Sequence, residues 1–224
     1  MAETIKIAGA DGFEFSAYHE AAFTPRKGGV IVIQEIFGID KYIRADVARW
    51  AKMGYEAIAP SLFDRRVKDY TAPHDAAGIE AGRAHAMATP LDQALADITA
   101  CRHFLKAHGE KVCVVGYCYG GSLAWLAAAK VPGISASSSY YGKMVEANAG
   151  LAPLCPVIVH LGRLDHGIDA DDTANALARE NPEVPVYIYE GAGHGFNNES
   201  PERYNAEAAD LARHRTLELF DQAI

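Results

Sequence analysis

The sequence predicts an α/β fold with a mostly parallel central sheet, helices on both faces of that sheet and no separate lid domain. Two observations predict it. Six short runs are almost continuously apolar or β-branched, as expected for strands buried on both faces: residues 29–33, 57–59, 111–115, 136–141, 157–161 and 186–189. These runs alternate with helix-like segments, and repeated alternation of strand and helix favours a parallel sheet.

The remaining elements follow in chain order. Apolar and polar residues alternate over residues 5–7 and 13–18, and Ala-Asp-Gly separates the two segments. This pattern predicts an antiparallel hairpin at the N-terminal edge of the sheet. Apolar residues recur at helical spacing in four segments: residues 40–53, 91–105, 171–178 and 202–220. A further helix-forming run covers residues 122–129, whereas residues 61–89 are polar or rich in Ala and Gly. We expect the latter segment to lie over the surface near the functional site.

Length and charge bound the class of protein. The chain has 224 residues, of which 50% are hydrophobic, so it can bury a full core, and we expect one domain over residues 1–224. The formal net charge of -8 argues against a nucleic-acid partner, since such proteins concentrate Lys and Arg on one face. No stretch approaches the length of a membrane span and no leader pattern opens the chain, which predicts a cytoplasmic protein without a membrane partner.

The four cysteines are too sparse to staple a chain of this length, and none forms a C-x-x-C pair. Disulfides and a zinc site are therefore not expected, and neither a metal nor an organic cofactor is predicted. Cys101, Cys113 and Cys155 lie in apolar stretches, where a cysteine behaves as a small buried hydrophobic residue. Cys118 is different.

Cys118 lies between a predicted strand and a predicted helix, with Gly116 and Gly120 on either side. This spacing matches the G-x-S-x-G turn of α/β-hydrolases, in which small flanking residues expose the central side chain above the sheet. A cysteine at that corner is a candidate nucleophile. The next amide, that of Tyr119, lies at a helix N-terminus, where it can donate to an oxyanion.

A thiol needs a base to become a thiolate, and His194 is the best candidate because glycines flank it in a loop after a strand. His160 lies inside a strand, which favours a core role, and His166 is a weaker alternative. Asp165 follows strand 157–161 at the sheet edge where such sites collect, and it could orient the imidazole.

Asp169, Asp171 and Asp172 are more typical of the start of the next helix. The chain order of nucleophile, acid and base is that of the α/β-hydrolase fold, which independently supports that fold.

The loop after residues 29–33 is a second candidate part of the site. In α/β-hydrolases the other oxyanion amide comes from a loop in this position, which makes the backbone of Ile36 the candidate donor. Glu35 is a carboxylate between a buried strand and a tight turn, so it needs a hydrogen-bond partner. That partner could be the Cys118 thiol, or Glu35 could form a salt bridge to an arginine or cap a helix.

Four motifs together resemble the dienelactone hydrolase family: Gln34-Glu-Ile-Phe-Gly38, Gly116-Tyr-Cys-Tyr-Gly-Gly121, Gly162-Arg-Leu-Asp165 and Gly193-His-Gly-Phe196. The resemblance spans roughly residues 29–198. It implies a lidless α/β-hydrolase with a Cys118, His194 and Asp165 triad, and a monomer. It also implies that Glu35 holds the resting thiol and swings away when substrate binds.

The substrate is a small ester or lactone by this reasoning. Family members that act on dienelactone hold its carboxylate with arginines, one of them shortly after the catalytic histidine, where this chain has Asn198. Arg83 could match another anion-binding position. Candidate substrate-binding residues are Phe37, Arg83, Tyr141, Phe196 and Asn198. The alternatives are a broad carboxylesterase or thioesterase, a redox-active thiol protein, and a binding protein that has lost catalysis.

Overall fold

The structure is a computed structural model that describes residues 2–224. Its strands are β1 (Glu3–Ala8), β2 (Glu14–Glu20), β3 (Gly28–Ile33), β4 (Tyr55–Pro60), β5 (Val112–Tyr117), β6 (Ala136–Tyr140), β7 (Val157–Gly162) and β8 (Val186–Tyr189). Its α-helices are α1 (Lys41–Lys52), α2 (Ala76–Ala88), α3 (Leu91–Lys106), α4 (Tyr119–Lys130), α5 (Ala170–Glu180) and α6 (Ala206–Ala223).

The eight strands follow the order β1-β2-β4-β3-β5-β6-β7-β8 in a mostly parallel sheet, which confirms the predicted fold class. No separate lid domain is evident among residues 2–224. By its internal contacts the chain divides into two compact units, Met1–Val114 and Val115–Ile224.

In the first unit, β1 and β2 form the predicted antiparallel hairpin, and β2 continues into an antiparallel pair with β4. Strand β3 pairs in parallel with β4, and Gly29 faces Glu56 in that register. A Cβ at Gly29 would lie 3.0 Å from Leu105 of α3, whereas Tyr55, which precedes Glu56, packs edge-on against Trp50 of α1. Because neighbouring strand residues point to opposite faces, α1 and α3 cover opposite faces of these strands.

Residues 61–89 contain a helix that the sequence pattern did not predict. Helix α2 begins after the N-cap Asp75, whose carboxylate accepts from the Gly78 amide at 2.8 Å. Its alanines favour helix without producing an apolar stripe, so hydrophobic periodicity misses it. At Gly82 the helix approaches Ile36 so closely that a Cβ would collide with the Ile36 carbonyl.

In the second unit, β6, β7 and β8 are neighbours in parallel. Alternate side chains of β6 bond to different helices: Ser137 and Ser139 donate to carbonyls of α4, while the Ser138 hydroxyl lies 2.9 Å from Thr216 of α6. Helices α4 and α6 therefore cover opposite faces of this part of the sheet. Across residues 2–224, no helix has the length and apolar character required to cross a membrane.

Candidate active site

Cys118 occupies a sharp turn between β5 and α4, with φ 55 and ψ -110. A positive φ is strained for a residue with a side chain, and such strain persists only where the surroundings enforce it. Two backbone hydrogen bonds enforce it here: the Cys118 amide donates to the Tyr140 carbonyl at 3.0 Å, and the Cys118 carbonyl accepts from the Ser122 amide at 3.0 Å. The Cys118 side chain is half-buried.

The turn also depends on two close backbone approaches. A Cβ at Gly116 would collide with the Gly120 carbonyl, and a Cβ at Gly121 would collide with the Tyr140 carbonyl. Only glycine can occupy these positions without moving the backbone. Tyr119 is the first residue of α4, within the turn whose amides lack acceptors inside the helix.

His194 lies between the two other residues of the predicted triad. Its Nδ1 is 2.6 Å from Asp165 Oδ2, and its Nε2 is 3.1 Å from Cys118 Sγ. Asp165 follows β7 and is buried, and its other oxygen accepts from the Gly167 amide at 2.8 Å. All three residues belong to the second unit. The arrangement links a carboxylate, an imidazole and a thiol in one line.

The pKa values of His194 and Asp165 are both shifted from their ordinary values. Burial lowers the pKa of His194, but its hydrogen bonds to Asp165 and Cys118 and the charges of those groups outweigh burial and raise it to about 10. Burial raises the pKa of Asp165, yet the hydrogen bond and charge of His194 and the amides of Gly167 and Ile168 hold it below its ordinary value. The charged forms of both residues are therefore favoured.

Aromatic residues lie next to His194 and its loop. The Tyr141 ring is 5.2 Å from the His194 ring, and its backbone has φ 38, a second strained position beside Cys118. Phe196 packs against Tyr141 at 5.3 Å and against Tyr189 at 5.1 Å. Tyr141 and Phe196 are buried almost completely, so both pack around the His194 loop.

Asn198 is also buried, and it is part of the loop that carries His194. The backbone amide of Asn198 donates to the Gly195 carbonyl at 2.8 Å, and its side-chain Oδ1 accepts from the backbone amide of Ser200 at 3.1 Å. Arg203 is a residue that sequence reasoning missed: a Cβ at Gly195 would lie 3.2 Å from its Cδ. Nothing in the local sequence pattern indicates that Arg203 folds back onto the residue after His194.

The other predicted site residues belong to the first unit. Glu35 is buried in the loop after β3, and its carbonyl accepts from the Gln34 side-chain amide at 3.2 Å. Ile36 is half-buried in the following turn, and Phe37 stacks on His74 with ring centroids 3.8 Å apart. Arg83 is exposed on α2. Roles for these residues in catalysis stay predictions.

The alternative histidines and aspartates are not near the thiol by any described contact. His160 is fully buried in β7 and hydrogen-bonded on both ring nitrogens, and His166 is exposed. Asp169 caps α5 by accepting from the amides of Asp171 and Asp172, as the sequence predicts. Among residues 2–224, no group of three His, Cys, Asp or Glu side chains is arranged to hold a metal ion.

The chain is similar to known proteins over most of its length. A sequence model of the dienelactone hydrolase family matches residues 15–224. The chain belongs to the dienelactone hydrolase family. The carboxymethylenebutenolidase of Pseudomonas putida is 32% identical to it over 231 residues, covering 98% of this chain and 96% of that one. These relatives support an ester or lactone hydrolase and confirm the resemblance inferred from the motifs.

Two further relatives agree. A candidate carboxymethylenebutenolidase of Yersinia pestis is 34% identical over 211 residues, covering 86% of this chain and 77% of that protein. A crystal structure of a candidate dienelactone hydrolase from Klebsiella pneumoniae matches with a TM-score of 0.86 at 29% identity, covering 99% of this chain and 98% of that one. The dienelactone hydrolase family thus accounts for almost the whole chain.

Proposed function

We propose that this dienelactone hydrolase family member cleaves small esters or lactones with Cys118 as nucleophile. The observation that carries the proposal is the short path from Asp165 through His194 to Cys118 Sγ, with contacts of 2.6 Å and 3.1 Å. A base next to a thiol stabilises the thiolate, which is the attacking form. The raised pKa of His194 supports an imidazolium beside that thiolate.

The first half of the reaction forms a thioester. The Cys118 thiolate attacks the carbonyl carbon, a C–S bond forms, and the carbonyl electrons move onto oxygen. The Tyr119 amide at the start of α4 donates to that oxyanion, and the Ile36 amide is the second donor expected from the sequence. The C–O bond then breaks, and His194 gives its proton to the leaving alkoxide.

The second half consumes one water. His194 takes a proton from the water while the oxygen of the water attacks the thioester carbon. The C–S bond then breaks, which regenerates the thiolate and releases the carboxylic acid product. Asp165 stabilises the imidazolium during both halves and fixes which nitrogen of His194 faces the sulfur. No other proton donor is required between the two steps.

The substrate range is proposed to include neutral esters and lactones. Asn198 stands where an arginine was expected, and it is buried and bonded to the Ser200 amide. An amide can accept or donate a hydrogen bond, but it lacks the charge and the two-pronged geometry of a guanidinium. This favours a broader carboxylesterase over an enzyme that requires a substrate carboxylate.

Steady-state hydrolysis of small aryl esters and of enol-lactones with and without a carboxylate tests the proposal. Cys118→Ala and His194→Ala are expected to lose activity by about 10³-fold or more. Cys155→Ala is the matched control, since Cys155 is also half-buried and its thiol pKa is raised to about 11 by burial. Wild-type turnover by Cys118→Ala would overturn the mechanism, and a strict need for the carboxylate would overturn the substrate range.

A further inference from the structure

A line of hydrogen bonds crosses the interior of the second unit and is not used by the chemistry above. His160 of β7 is fully buried; its Nδ1 lies 2.9 Å from the Tyr189 hydroxyl and its Nε2 lies 3.2 Å from Thr216 Oγ1. Thr216 is fully buried as well, and its oxygen also lies 2.9 Å from the Ser138 hydroxyl and 2.8 Å from the Tyr140 hydroxyl. We call these residues, together with Arg215, the Thr216 network.

The Thr216 end of the line fixes the direction of the bonds to His160. At one end Arg215, which can only donate, donates to the Tyr189 hydroxyl at 3.1 Å. At the other end the Thr216 hydroxyl donates to the Ala212 carbonyl at 2.9 Å, which can only accept. The one proton of the Thr216 hydroxyl is used in that bond, so Thr216 accepts from Nε2 of His160, and Nδ1 of the neutral imidazole accepts from the Tyr189 hydroxyl. His160 is therefore the neutral Nε2–H tautomer.

The charge states agree with this direction. Burial raises the pKa of Tyr189 to about 12, so its hydroxyl keeps its proton. Burial, and then the charge of Arg215, lower the pKa of His160 to about 3, so its imidazole is neutral near pH 7. A buried polar line of this kind stabilises only if each group is satisfied, and this one is satisfied along its length.

The Thr216 network includes residues of β6, β7 and β8, close to the strand ends from which the triad is positioned. Tyr140 ends β6, and its carbonyl accepts a hydrogen bond from the Cys118 amide. His160 precedes Asp165 by five residues, and its carbonyl accepts from the Tyr141 amide at 2.8 Å. Tyr189 ends β8, the strand next to β7, and precedes the loop that carries His194.

We propose that Thr216 and His160 are positioning residues that hold the ends of β6, β7 and β8 in the register that brings Cys118, Asp165 and His194 together. Neither residue touches the thiol; they act through Tyr140 and Tyr189. A displacement of about 1 Å in a reacting pair costs on the order of 10²-fold in rate, so small shifts of a strand end matter. For its kinetic effect, this inference rests on the proposed Cys118 chemistry.

Three variants test it. Thr216→Val removes the hydroxyl while keeping the shape, Thr216→Ser restores the hydroxyl, and Tyr189→Phe removes the donor to His160. We expect Thr216→Val and Tyr189→Phe to lower kcat about 10-fold or more with KM changed less than about 2-fold. Thr216→Ser should keep most of the wild-type kcat. Ser137→Ala is the matched control: it removes an equally buried hydrogen bond from β6, to Ala124 of α4, and kcat should not change.

Two readouts do not need substrate hydrolysis. Alkylation of Cys118 by iodoacetamide, followed by mass spectrometry of its peptide, reports the reactivity of the thiol, which depends on how far the neighbouring His194 favours the thiolate; we expect alkylation to slow in Thr216→Val and recover in Thr216→Ser. Nitrogen chemical shifts of His160 report its tautomer, expected to be Nε2–H in the wild type.

The outcomes separate the two proposals. Thr216→Val with wild-type kcat and alkylation rate, Ser137→Ala with an equal loss of kcat, or an Nδ1–H His160 would overturn the positioning role. Wild-type protein without hydrolysis, but with alkylation that depends on Thr216, would overturn the proposed function and support the network.

Discussion

His194 Nδ1 and Asp165 Oδ2 are 2.6 Å apart, and this hydrogen bond is the largest of the effects that raise the pKa of the imidazole that faces Cys118. A carboxylate at that distance favours the imidazolium, and it also fixes the ring so that Nε2 points at the sulfur. The contact spans 29 positions of the chain, from the loop after β7 to the loop after β8.

Asp165→Asn keeps the shape of the acid and removes its charge. The raised pKa of His194 adds stability that is fully present below the ordinary value of 6.5 and is lost as pH rises through about 10, so the variant should lose that contribution. We expect the pKa of His194 to fall from about 10 towards 6.5, and kcat to fall about 10³-fold or more. NMR titration of His194 and steady-state kinetics measure both.

Asp169→Asn is the control for this change, because Asp169 lies in the same loop and Asn is an equally good N-cap for α5. It should leave both the kinetics and the His194 titration unchanged. Unaltered titration of His194 in Asp165→Asn would mean that Asp165 does not set its charge.

Gly116→Ala should disrupt the turn that exposes Cys118. The new Cβ would overlap the Gly120 carbonyl, and backbone on both sides must move to relieve it. We expect the free energy of unfolding to fall by about 2–3 kcal/mol and hydrolysis to be lost. Urea unfolding and ester hydrolysis measure these effects.

Gly150→Ala provides the comparison, since no atom lies within 4 Å of its added Cβ. Its free energy of unfolding should change by less than about 0.5 kcal/mol. Similar losses in the two variants would argue against a special requirement for glycine in the turn.

Glu56 in the first unit predicts a specific acid dependence. Burial raises its pKa, but hydrogen bonds from His19, Arg26 and His108 outweigh burial and lower it from 4.5 to about 2. A lowered carboxyl pKa adds stability above pH 4.5 that is lost as pH falls towards 2.

Glu56→Gln should therefore destabilise the protein by about 2 kcal/mol at pH 7 and much less near pH 2, as measured by urea unfolding at both pH values. Glu110→Gln is the control, because Glu110 forms an exposed pair with Lys106 that should contribute little. A constant difference between wild type and Glu56→Gln across this pH range would refute the pKa assignment.

Local patterns in the sequence predicted the features that depend on neighbouring residues. The turn around Cys118 is one, because its glycines, its preceding apolar strand and its following helix are contiguous. The strand-end positions of Asp165 and His194 are others, because both residues follow short apolar or β-branched runs in the sequence.

Features that depend on distant partners were not predictable. The bonds from Thr216 to His160 and Tyr140 span 56 and 76 residues, and no periodicity links those positions. Helix α2 was missed for a different reason: its alanines and glycines carry no apolar stripe, although Gly78 and Gly82 are buried by close backbone contacts. Arg203 beside Gly195 is a further example of tertiary folding without a local signal.

The proposed mechanism requires Cys118 to become acylated during turnover. Rapid mixing with a slowly hydrolysed aryl ester, acid quenching and mass spectrometry of the digested protein measure this directly. We predict the mass of the acyl group on the Cys118 peptide alone, with none on the peptides of Cys101, Cys113 or Cys155, and no adduct in Cys118→Ala. Steady turnover without any adduct on Cys118, or with the acyl group on another residue, would show that Cys118 is not the nucleophile.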